Sequence, residues 1–305
     1  MRQVVVESFD GVGGLRVREA PEPHAASGEV RVRVTAAGLN PVDLRIAEGG
    51  AIAARFRAVP PYVNGNDFAG VIDEVGDGVS GWAVGDRVYG GARCRAQSQH
   101  LILDPDDLIR TPAELPDQVA AVLDIAARTA WAGIEALAVG PAETIVISAA
   151  AGGCGLFAVQ FAVRSGARVI GLAREANHRL LRELGAVPLD YRGDVLTGLR
   201  RIAPDGVAAF LDAHGGDYPR IAQDLGVPAE RINSVADRDG VLAIGGISVG
   251  RATTQPRSLE PLGAMVADGE LRVHIDGVFP LEKAREAYAT LARGHVRGKL
   301  VLDLS

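Results

Sequence analysis

The stretch VISAAAGGCGLFAVQ, from Val146 to Gln160, constrains the fold more than any other part of the chain. A β-branched apolar run ends in three alanines, meets three glycines within four residues, and continues as an apolar segment at helical spacing. Glycine is the residue of choice where a chain turns sharply or lets another group approach its backbone. The pattern therefore predicts a strand, a tight turn and a helix, in that order.

The segment from Gly153 to Ala158 within this stretch fits the pattern G-x-G-x-x-G/A of dinucleotide-binding turns. The first glycine permits the turn, the second admits a pyrophosphate close to the backbone, and Ala158 lets the helix pack on the strand. N–H groups at the start of the helix would bind the phosphates. A tight turn without a ligand is the alternative, but the strands and helices around it favour a nucleotide site. The predicted cofactor contacts of this turn are Ala151, Gly152, Gly153, Cys154 and Gly155.

The chain as a whole shows two patterns, and its 305 residues suggest two domains. Up to about Leu115, short β-branched runs between Gly, Asp and Pro predict the closely spaced strands of a barrel or sandwich. A long helical pattern over 117–137 follows, and then strands and helices alternate, which predicts a parallel sheet with helices on both faces. The strands expected there include TIVISAA, RVIGLA, AVPLDY, VAAFLDAHG, GVLAIGGI and ELRVHI, and the C-terminal part predicts a helix, a turn and a final strand.

Composition argues against several classes of function. The formal net charge of −6 provides no basic surface for nucleic acid or an anionic membrane. No stretch reaches about 18 uninterrupted apolar residues, as a membrane span requires, and the N-terminus lacks a secretory signal pattern. A cytoplasmic protein is therefore expected. Cys94 and Cys154 are the only cysteines, too few for a disulfide framework or a four-cysteine zinc site.

The residues after the second predicted strand of the parallel sheet bear on which dinucleotide binds. An NAD site has an acidic residue at this position, about 20 residues beyond the glycines, to bind the ribose 2′-hydroxyl. Here the strand ends at Ala173 and Arg174 follows. A guanidinium pairs well with phosphate, so NADP(H) is favoured. Two alternatives stay open: Glu175 could bind the ribose, and Arg174 could be a solvated surface side chain.

Five segments together resemble the zinc-independent, NADP-dependent quinone oxidoreductase-like branch of the medium-chain dehydrogenase/reductase superfamily. They are AAGLNPVDLRIAEG (36–49), GNDFAGVIDEVGDGVSGWAVGDRVYG (65–90), AAAGGCG, LRELGAVPLDY and GHVRGKLVLDL. The resemblance implies an α/β protein with two domains. A β-rich GroES-like catalytic domain would comprise residues 1–119 and 273–305, and a Rossmann domain with a doubly wound parallel sheet would comprise residues 120–272.

Zinc-dependent members of the superfamily carry ligands that this chain lacks. Where they have a cysteine in the active-site loop, this chain has Asn40, and their Gly-His-Glu stretch is Gly65-Asn66-Asp67. Their structural zinc lobe needs four close cysteines, and only Cys94 lies in that region. Because a catalytic zinc needs three good protein ligands and asparagine is a poor one, no metal is expected.

The resemblance also assigns roles to residues outside the glycine turn. It places Asn40 and Thr129 near the nicotinamide and substrate, in a substrate site that also includes Asp67 and Arg45, where the family commonly has tyrosine. A structural role for Asn40, in a turn before Pro41, is an equal alternative. Tyr191 is implied near the 2′-phosphate, with a half-buried strand residue as the alternative. Further cofactor contacts are implied at Asn177, Ala213, Ile244 and Gly245.

The helix predicted over 117–137 departs from the family pattern at Asp124 and Arg128. Residues four apart on a helix are neighbours, so a salt bridge between the two is favoured. The alternative is a substrate cleft that is more polar than in a simple quinone reductase.

The function expected from these observations is NADPH-dependent hydride transfer to a quinone or an α,β-unsaturated carbonyl compound. A zinc-free alcohol or ketone dehydrogenase and a non-catalytic NADPH-binding sensor or structural protein are the alternatives. The apolar segment 240–250, near the predicted last strand ELRVHI, would leave an unprotected sheet edge. The family commonly covers that edge by pairing two subunits, so a homodimer through the Rossmann domains is expected.

Overall fold

The computed structural model describes the whole chain, residues 1–305. Its strands are β1 (Arg2–Val6), β2 (Leu15–Glu19), β3 (Val30–Leu39), β4 (Tyr62–Val63), β5 (Asp67–Val75), β6 (Arg87–Gly91), β7 (His100–Leu103), β8 (Ile109–Arg110), β9 (Thr144–Ile147), β10 (Arg168–Leu172), β11 (Val187–Leu189), β12 (Ala209–Asp212), β13 (Ile232–Ser234), β14 (Ile275–Pro280) and β15 (Lys299–Asp303). Its α-helices are α1 (Pro41–Glu48), α2 (Gly50–Phe56), α3 (Asp117–Ala120), α4 (Leu123–Leu137), α5 (Gly153–Arg164), α6 (His178–Glu183), α7 (Val195–Ile202), α8 (Tyr218–Asp224), α9 (Arg238–Ala243), α10 (Leu259–Ala267) and α11 (Ala284–Ala292).

The chain divides into two compact units. The first comprises Met1–Ile125, Gln255–Glu270 and His274–Ser305, and the second comprises Ala126–Thr254 and Leu271–Val273. The domain boundaries expected from the sequence stay a prediction, and these units differ from them mainly by assigning residues 255–270 to the first unit. None of the helices has the length and apolar character that a bilayer span requires.

The first unit is the predicted β-rich body. Its main sheet has the order β14-β15-β3-β5-β6-β8, with β7 also paired to β3, and a smaller sheet has the order β2-β1-β4. Only β14 and β15 run parallel; the other pairs are antiparallel. The register sets Gly38 opposite Asp67 and Leu39 opposite Leu300. The end of β3 and the starts of β5 and β15 therefore meet at one place, which positions the candidate site.

The second unit is a five-stranded parallel sheet of order β11-β10-β9-β12-β13. Its core is formed by buried apolar side chains from four of these strands, including Val146, Ile170, Phe210 and Ile232. The chain leaves β9 toward β10 on one side and later returns to β12 on the other. The carboxyl end of β9 is thus the point where the strand order reverses, which is where open α/β sheets bind ligands. The expected α/β fold with a Rossmann-like parallel sheet is confirmed.

The apolar run GVLAIGGI does not form the predicted strand. Most of it lies in helix α9 and the turn after it, and the side chain of Asp237 caps this helix by accepting from Gly240 N at 3.0 Å. The sheet position is taken instead by β13, and Ile247 alone forms a parallel bridge with Asn233. The edge strand that suggested a homodimer is therefore absent, and the homodimer stays a prediction without that support.

Two other sequence expectations are also wrong. The segment ELRVHI has no strand in the second unit; the amide of Gln160 pairs with the backbone of Arg272, and β14 begins only at Ile275. The single helix expected over 117–137 breaks between α3 and α4. At that break the carbonyl of Ala121 lies 2.4 Å from the place where Gly38 would carry a Cβ, so the strand tolerates only glycine there.

Candidate active site

Asn40 lies where β3 ends and α1 begins. Its backbone is extended (φ −131°, ψ 146°), Pro41 follows at the first helical position, and its N–H donates to Asp43 Oδ2 at 2.9 Å. This is one half of a capping box, in which the third helical residue binds the residue before the helix. The sequence Leu-Asn-Pro-Val-Asp thus favours a helix start at this point, and Asn40 is placed by that start with only 1% of its surface exposed.

The Asn40 side chain is held at both ends. Its Nδ2 donates to Asp67 Oδ2 at 3.0 Å, and its Oδ1 accepts a hydrogen bond from Lys299 Nζ. Lys299 Nζ also donates to Leu39 O at 2.8 Å, and Asp67 Oδ1 accepts from Ile125 N at 3.1 Å. The structure therefore brings the predicted residues Asn40 and Asp67 together and adds a buried cation that sequence reasoning missed.

A second buried carboxylate continues this network. Asp43 Oδ1 accepts from Asn66 Nδ2 at 2.5 Å, and Asp43 Oδ2 accepts from Tyr288 Oη at 3.1 Å. Tyr288 Oη in turn accepts from Gln97 Nε2 at 2.6 Å. Only Asn66 Oδ1 is buried without a hydrogen-bond partner among these groups. The end of β3 is thus surrounded by polar groups in fixed orientations.

Burial controls the acidity of both carboxylates. Desolvation raises the pKa of Asp67 to about 7; the charge of Lys299 opposes the rise, and Asp124 and Asp43 add to it. Desolvation also raises the pKa of Asp43 above its usual value, against the hydrogen bond from Asn66 and the charge of Lys299. Burial and the charge of Lys299 therefore act on the pKa of Asp67 in opposite directions.

Arg45 is exposed, unlike the residues of this cluster. It lies on the exposed face of α1, whereas its neighbours Leu44 and Ile46 are buried. Its predicted role at the substrate stays a prediction.

The glycine turn of the second unit has the predicted strand–turn–helix form. Gly152 precedes α5 in extended conformation, and Ala149 occupies the left-handed region at φ 46°. A Cβ at Gly155 would lie 2.1 Å from Ala149 O, so the turn itself requires this glycine. The first N–H groups of α5 have no partner within the helix and can bind phosphate. The residues present therefore fit a dinucleotide at the strand-order reversal.

A buried polar bracket lies beside this turn and was not predicted. Ser148 Oγ and Ser234 Oγ each donate to Asp212 at 2.6 Å, which ties the ends of β9 and β13 to the end of β12. Ala213 N donates to Ser148 Oγ at 2.8 Å, so the predicted contact Ala213 is held at the carboxyl edge of the sheet. The sequence does contain a signal for this group of residues, because the charged residue Asp212 ends an apolar run and Gly215-Gly216 follow it.

Arg174 and Tyr191 meet at the ends of β10 and β11. Arg174 Nε donates to Tyr191 Oη at 2.9 Å, and this is the only hydrogen bond of the Arg174 side chain. Ala173 is buried, and Asn177 ends the short 3₁₀ turn that follows, its N–H donating to Arg174 O. The two terminal nitrogens of Arg174 therefore make no hydrogen bond within the chain.

The segment after α9 runs alongside β13. Ile247 N donates to Ile232 O, and Val249 N donates to Asn233 Oδ1, so the chain passes from the amino to the carboxyl end of β13. Thr129 on α4 lies at the far end of this segment, with its methyl group 3.1 Å from the place of a Cβ on Gly250.

The path of the chain after α9 shows that two predicted cofactor contacts, Ile244 and Gly245, are wrong. Ile244 and Gly245 end helix α9, and the next residue, Gly246, lies against the carbonyl of Ile232 at the start of β13. Both predicted contacts thus lie by the amino end of the strand, away from the expected nucleotide edge. Their cofactor role was implied by the resemblance alone.

Arg128 is buried on α4 and binds the same segment. Its Nε and one terminal nitrogen donate to Thr254 Oγ1 at 3.1 and 2.8 Å, and that terminal nitrogen also donates to Thr254 O at 3.0 Å. The guanidinium therefore ties α4 to the loop beyond Gly250. The salt bridge predicted between Asp124 and Arg128 stays a prediction.

Two family models match the chain. The model described as "Alcohol dehydrogenase GroES-like domain" matches residues 26–111, and the one described as "Zinc-binding dehydrogenase" matches residues 187–302. Together with the GroES-like and Rossmann-like units, these matches decide the family. The chain belongs to the medium-chain dehydrogenase/reductase superfamily.

Full-length relatives place it in the quinone oxidoreductase-like branch of the superfamily. The chloroplast envelope quinone oxidoreductase homolog of Arabidopsis thaliana is 28% identical, over 96% of this chain and 95% of the relative. The solved quinone oxidoreductase from Coxiella burnetii is 28% identical, with a TM-score of 0.91 over 100% of this chain and 99% of that chain. An acryloyl-coenzyme A reductase of Metallosphaera sedula is 24% identical over 99% of both chains. As a member of this superfamily, the protein is an oxidoreductase that uses a nicotinamide cofactor, NAD or NADP.

The superfamily's catalytic zinc does not fit the residues of this chain. No group of three His, Cys, Asp or Glu side chains lies close enough to hold a metal ion. At the place of a zinc ligand, Asn40 uses its oxygen to accept from an ammonium group and its nitrogen to donate to Asp67. No step that follows uses a metal.

Proposed function

We propose that the protein is an NADPH-dependent reductase of quinones or of α,β-unsaturated carbonyl compounds. The superfamily provides the general reaction, hydride transfer with a nicotinamide cofactor. The relatives named as a quinone oxidoreductase homolog and as an acryloyl-coenzyme A reductase support both halves of the proposed acceptor class. What these acceptors share is an electron-poor carbon conjugated to a carbonyl group.

The main support for NADPH rather than NADH as the cofactor is the hydrogen bonding of the Arg174 side chain. The guanidinium is oriented by Tyr191 through Nε, while its two terminal nitrogens have no partner in the chain. A 2′-phosphate binds such a planar pair of donors well. Glu175, the acidic alternative for the ribose, lies beyond Arg174 in an exposed 3₁₀ turn, and no carboxylate occupies the strand end itself.

The acceptor class follows from the chemistry that the residues can provide. A simple ketone needs strong polarisation before it accepts hydride, and a metal ion commonly supplies it. This chain offers uncharged donors instead: the amide of Asn40 in the first unit and the hydroxyl of Thr129 in the second. Hydrogen bonds of this kind suffice where the acceptor is already electron-poor and only the growing charge on oxygen needs stabilisation.

The residues contribute binding, orientation and charge stabilisation in this scheme. A bound nicotinamide supplies the hydride. Addition of hydride to the electron-poor carbon moves the π-electron pair onto the carbonyl oxygen, where an N–H or O–H donor stabilises it, and a proton from water completes the reduction. The N-terminus of α5 and Arg174 hold the phosphates, and the bracket of Ser148, Asp212 and Ser234 keeps the strand ends of the nucleotide site together.

An acceptor panel tests this proposal. Purified protein is assayed with NADPH and with NADH against a quinone, an enone, an enoyl thioester, a simple ketone and a primary alcohol, before and after chelator treatment. We expect reduction of the first three acceptors, a preference for NADPH, and no effect of the chelator. Turnover confined to the ketone or alcohol, or absent with every acceptor, would contradict it.

A further inference from the structure

Lys299 is an unusual residue for its place in this chain. Only two of the 32 lysines and arginines are lysines, Lys283 and Lys299, and Lys299 is the one that is buried, with 5% of its side chain exposed. Removing an ammonium ion from water is costly unless acceptors replace the lost hydration. Here Leu39 O at 2.8 Å and Asn40 Oδ1 accept from it, and Asp67 Oδ2 lies 3.9 Å away.

These contacts fix the orientation of the Asn40 amide. Its oxygen faces the ammonium of Lys299 and its nitrogen faces the carboxylate of Asp67. While Asp67 is ionised, a rotation by 180° would turn the NH₂ group toward a cation and the oxygen toward an anion, so both contacts would become repulsive. Asp67 cannot turn away to relieve this, because its other oxygen accepts from Ile125 N. Opposite charges on the two sides thus determine which end of the amide faces which way.

The fixed orientation limits what Asn40 can offer a ligand. An amide has one acceptor oxygen and a nitrogen with two hydrogens. The oxygen is used by Lys299, and one hydrogen is used by Asp67. What remains is one N–H group, together with the second lone pair of an oxygen that already accepts from a cation. That N–H group binds a carbonyl oxygen, and binds it more strongly as negative charge grows there.

We propose that Lys299 is a positioning residue of the reductase, which holds the Asn40 amide as a hydrogen-bond donor for the carbonyl oxygen of the acceptor. The inference rests on the proposed function and adds a specificity to it. Acceptors that present a carbonyl oxygen are bound productively by the N–H group of Asn40 that Asp67 does not use.

The compact shape of the ammonium group suits this role. It directs its donors to Leu39 O and Asn40 Oδ1 within one narrow space, whereas a guanidinium is a wider planar fork. The charged groups around the pair are Asp67, Asp43 and Asp124, so the ammonium also balances buried negative charge. A purely structural role as counter-charge is the alternative that the experiment must separate.

The first arm replaces Lys299 by methionine, which is similar in length but has no donor. We expect kcat for an enone to fall about 10- to 100-fold, less than the 10²- to 10³-fold typical for removal of an oxyanion donor itself. The dissociation constant for NADPH should stay within about twofold, since Leu39, Asn40 and Asp67, which Lys299 contacts, lie outside the glycine turn. Lys299→Arg should recover part of kcat, and Lys283→Met, at an exposed lysine, should behave as wild type. An unchanged kcat in Lys299→Met would overturn the proposal.

The second arm separates positioning from charge balance and does not depend on the folding of Lys299→Met. In the double variant Lys299→Met/Asp67→Asn, no buried counter-charge is missing, so we expect stability near wild type. The new amide at position 67 can donate to Asn40 Oδ1, and the Asn40 amide is then free to turn over. Positioning by Lys299 predicts that kcat stays below that of the single variant Asp67→Asn, which keeps the ammonium at Asn40 Oδ1. Equal kcat in the single and double variants would show that Lys299 only balances charge.

The third arm is independent of catalysis. With ¹⁵N-lysine labelling, the protein gives two side-chain ammonium signals, and Lys283→Met assigns them. We expect the Lys299 signal to exchange slowly with water and to shift in Asn40→Ala, while the Lys283 signal stays in place. A Lys299 signal that does not respond to Asn40→Ala would overturn the proposed contact. Wild-type protein without activity on any acceptor would overturn the proposed function, and the signals would still report on the contact.

Discussion

Replacing Arg174 by alanine tests the link between the end of β10 and the choice of cofactor. The terminal nitrogens of Arg174 make no hydrogen bond in the chain, so no internal contact of theirs is lost in the variant. The variant loses at least one charge-assisted contact to a 2′-phosphate, worth about 1.5–3 kcal/mol. At about 1.4 kcal/mol for each factor of ten, the dissociation constant for NADPH should rise about 10- to 100-fold. That for NADH should stay within about twofold, since NADH has no phosphate at this position.

The assay is a titration of the dihydronicotinamide fluorescence at fixed ionic strength, for both cofactors. Tyr191→Phe removes only the oxygen that accepts from Arg174 Nε, so we expect a smaller loss for NADPH of about 2- to 10-fold. Arg179→Ala is the matched control, because Arg179 is an exposed arginine on α6 that pairs with Glu183. An equal loss for NADPH and NADH in Arg174→Ala would refute the assignment, and so would an equal loss in the Arg179 control.

Three further predictions concern stability, the glycine turn and metals. Because burial raises the pKa of Asp67 to about 7, the contribution of Asp67 to the free energy of unfolding is complete below pH 4 and is lost as pH rises through 7, by at most about 4 kcal/mol. Urea denaturation across pH 4–8 should show this fall in the wild type and a flatter pH profile in Asp67→Asn, and parallel profiles for the two proteins would contradict it. Gly155→Ala should lower the melting temperature and abolish nucleotide binding, because the added Cβ would lie 2.1 Å from Ala149 O, whereas Gly193→Ala, with no atom within 4 Å of the added Cβ, should change neither. Normal nucleotide binding by Gly155→Ala would show that the close turn at Gly155 is not needed for binding. Elemental analysis after chelator treatment should give less than one zinc per chain with activity kept, since Asn40 is engaged by Lys299; stoichiometric zinc lost together with activity would disprove this.

The parallel sheet of the second unit could be predicted from the sequence because most of its strands are apolar and bounded by turn residues. Two segments misled for opposite reasons. GVLAIGGI is apolar enough for a buried strand, but a short apolar run does not distinguish strand from helix, and the cap provided by Asp237 decides for a helix. β13 was missed because two of its three residues, Asn233 and Ser234, are polar. Their side chains bind Val249 and Asp212, which no local pattern shows.

The candidate site was only half visible for a similar reason. Asn40 and Asp67 were found through resemblance to a known motif, and the register of β3 and β5 brings them together. Lys299 was missed although it is one of two lysines, because its partner Asn40 is 259 residues away. A contact of that kind depends on how β15 pairs with β3, and the pairing of distant strands has no signature in the sequence near either residue.

The short segment Ile247–Val249 beside β13 also affects how this protein behaves at high concentration. Val249 exchanges two hydrogen bonds with the side-chain amide of Asn233, both at 2.9 Å, and Ile247 uses its backbone N–H and carbonyl on Ile232 and Ser234. Another chain that added a strand here would have to displace these bonds, each worth about 0.5–1.5 kcal/mol. An unpaired strand edge is a template for aggregation, and this edge is already occupied. We therefore expect this edge of the sheet to resist edge-to-edge growth during expression and refolding, and two copies of the chain to associate through a different surface.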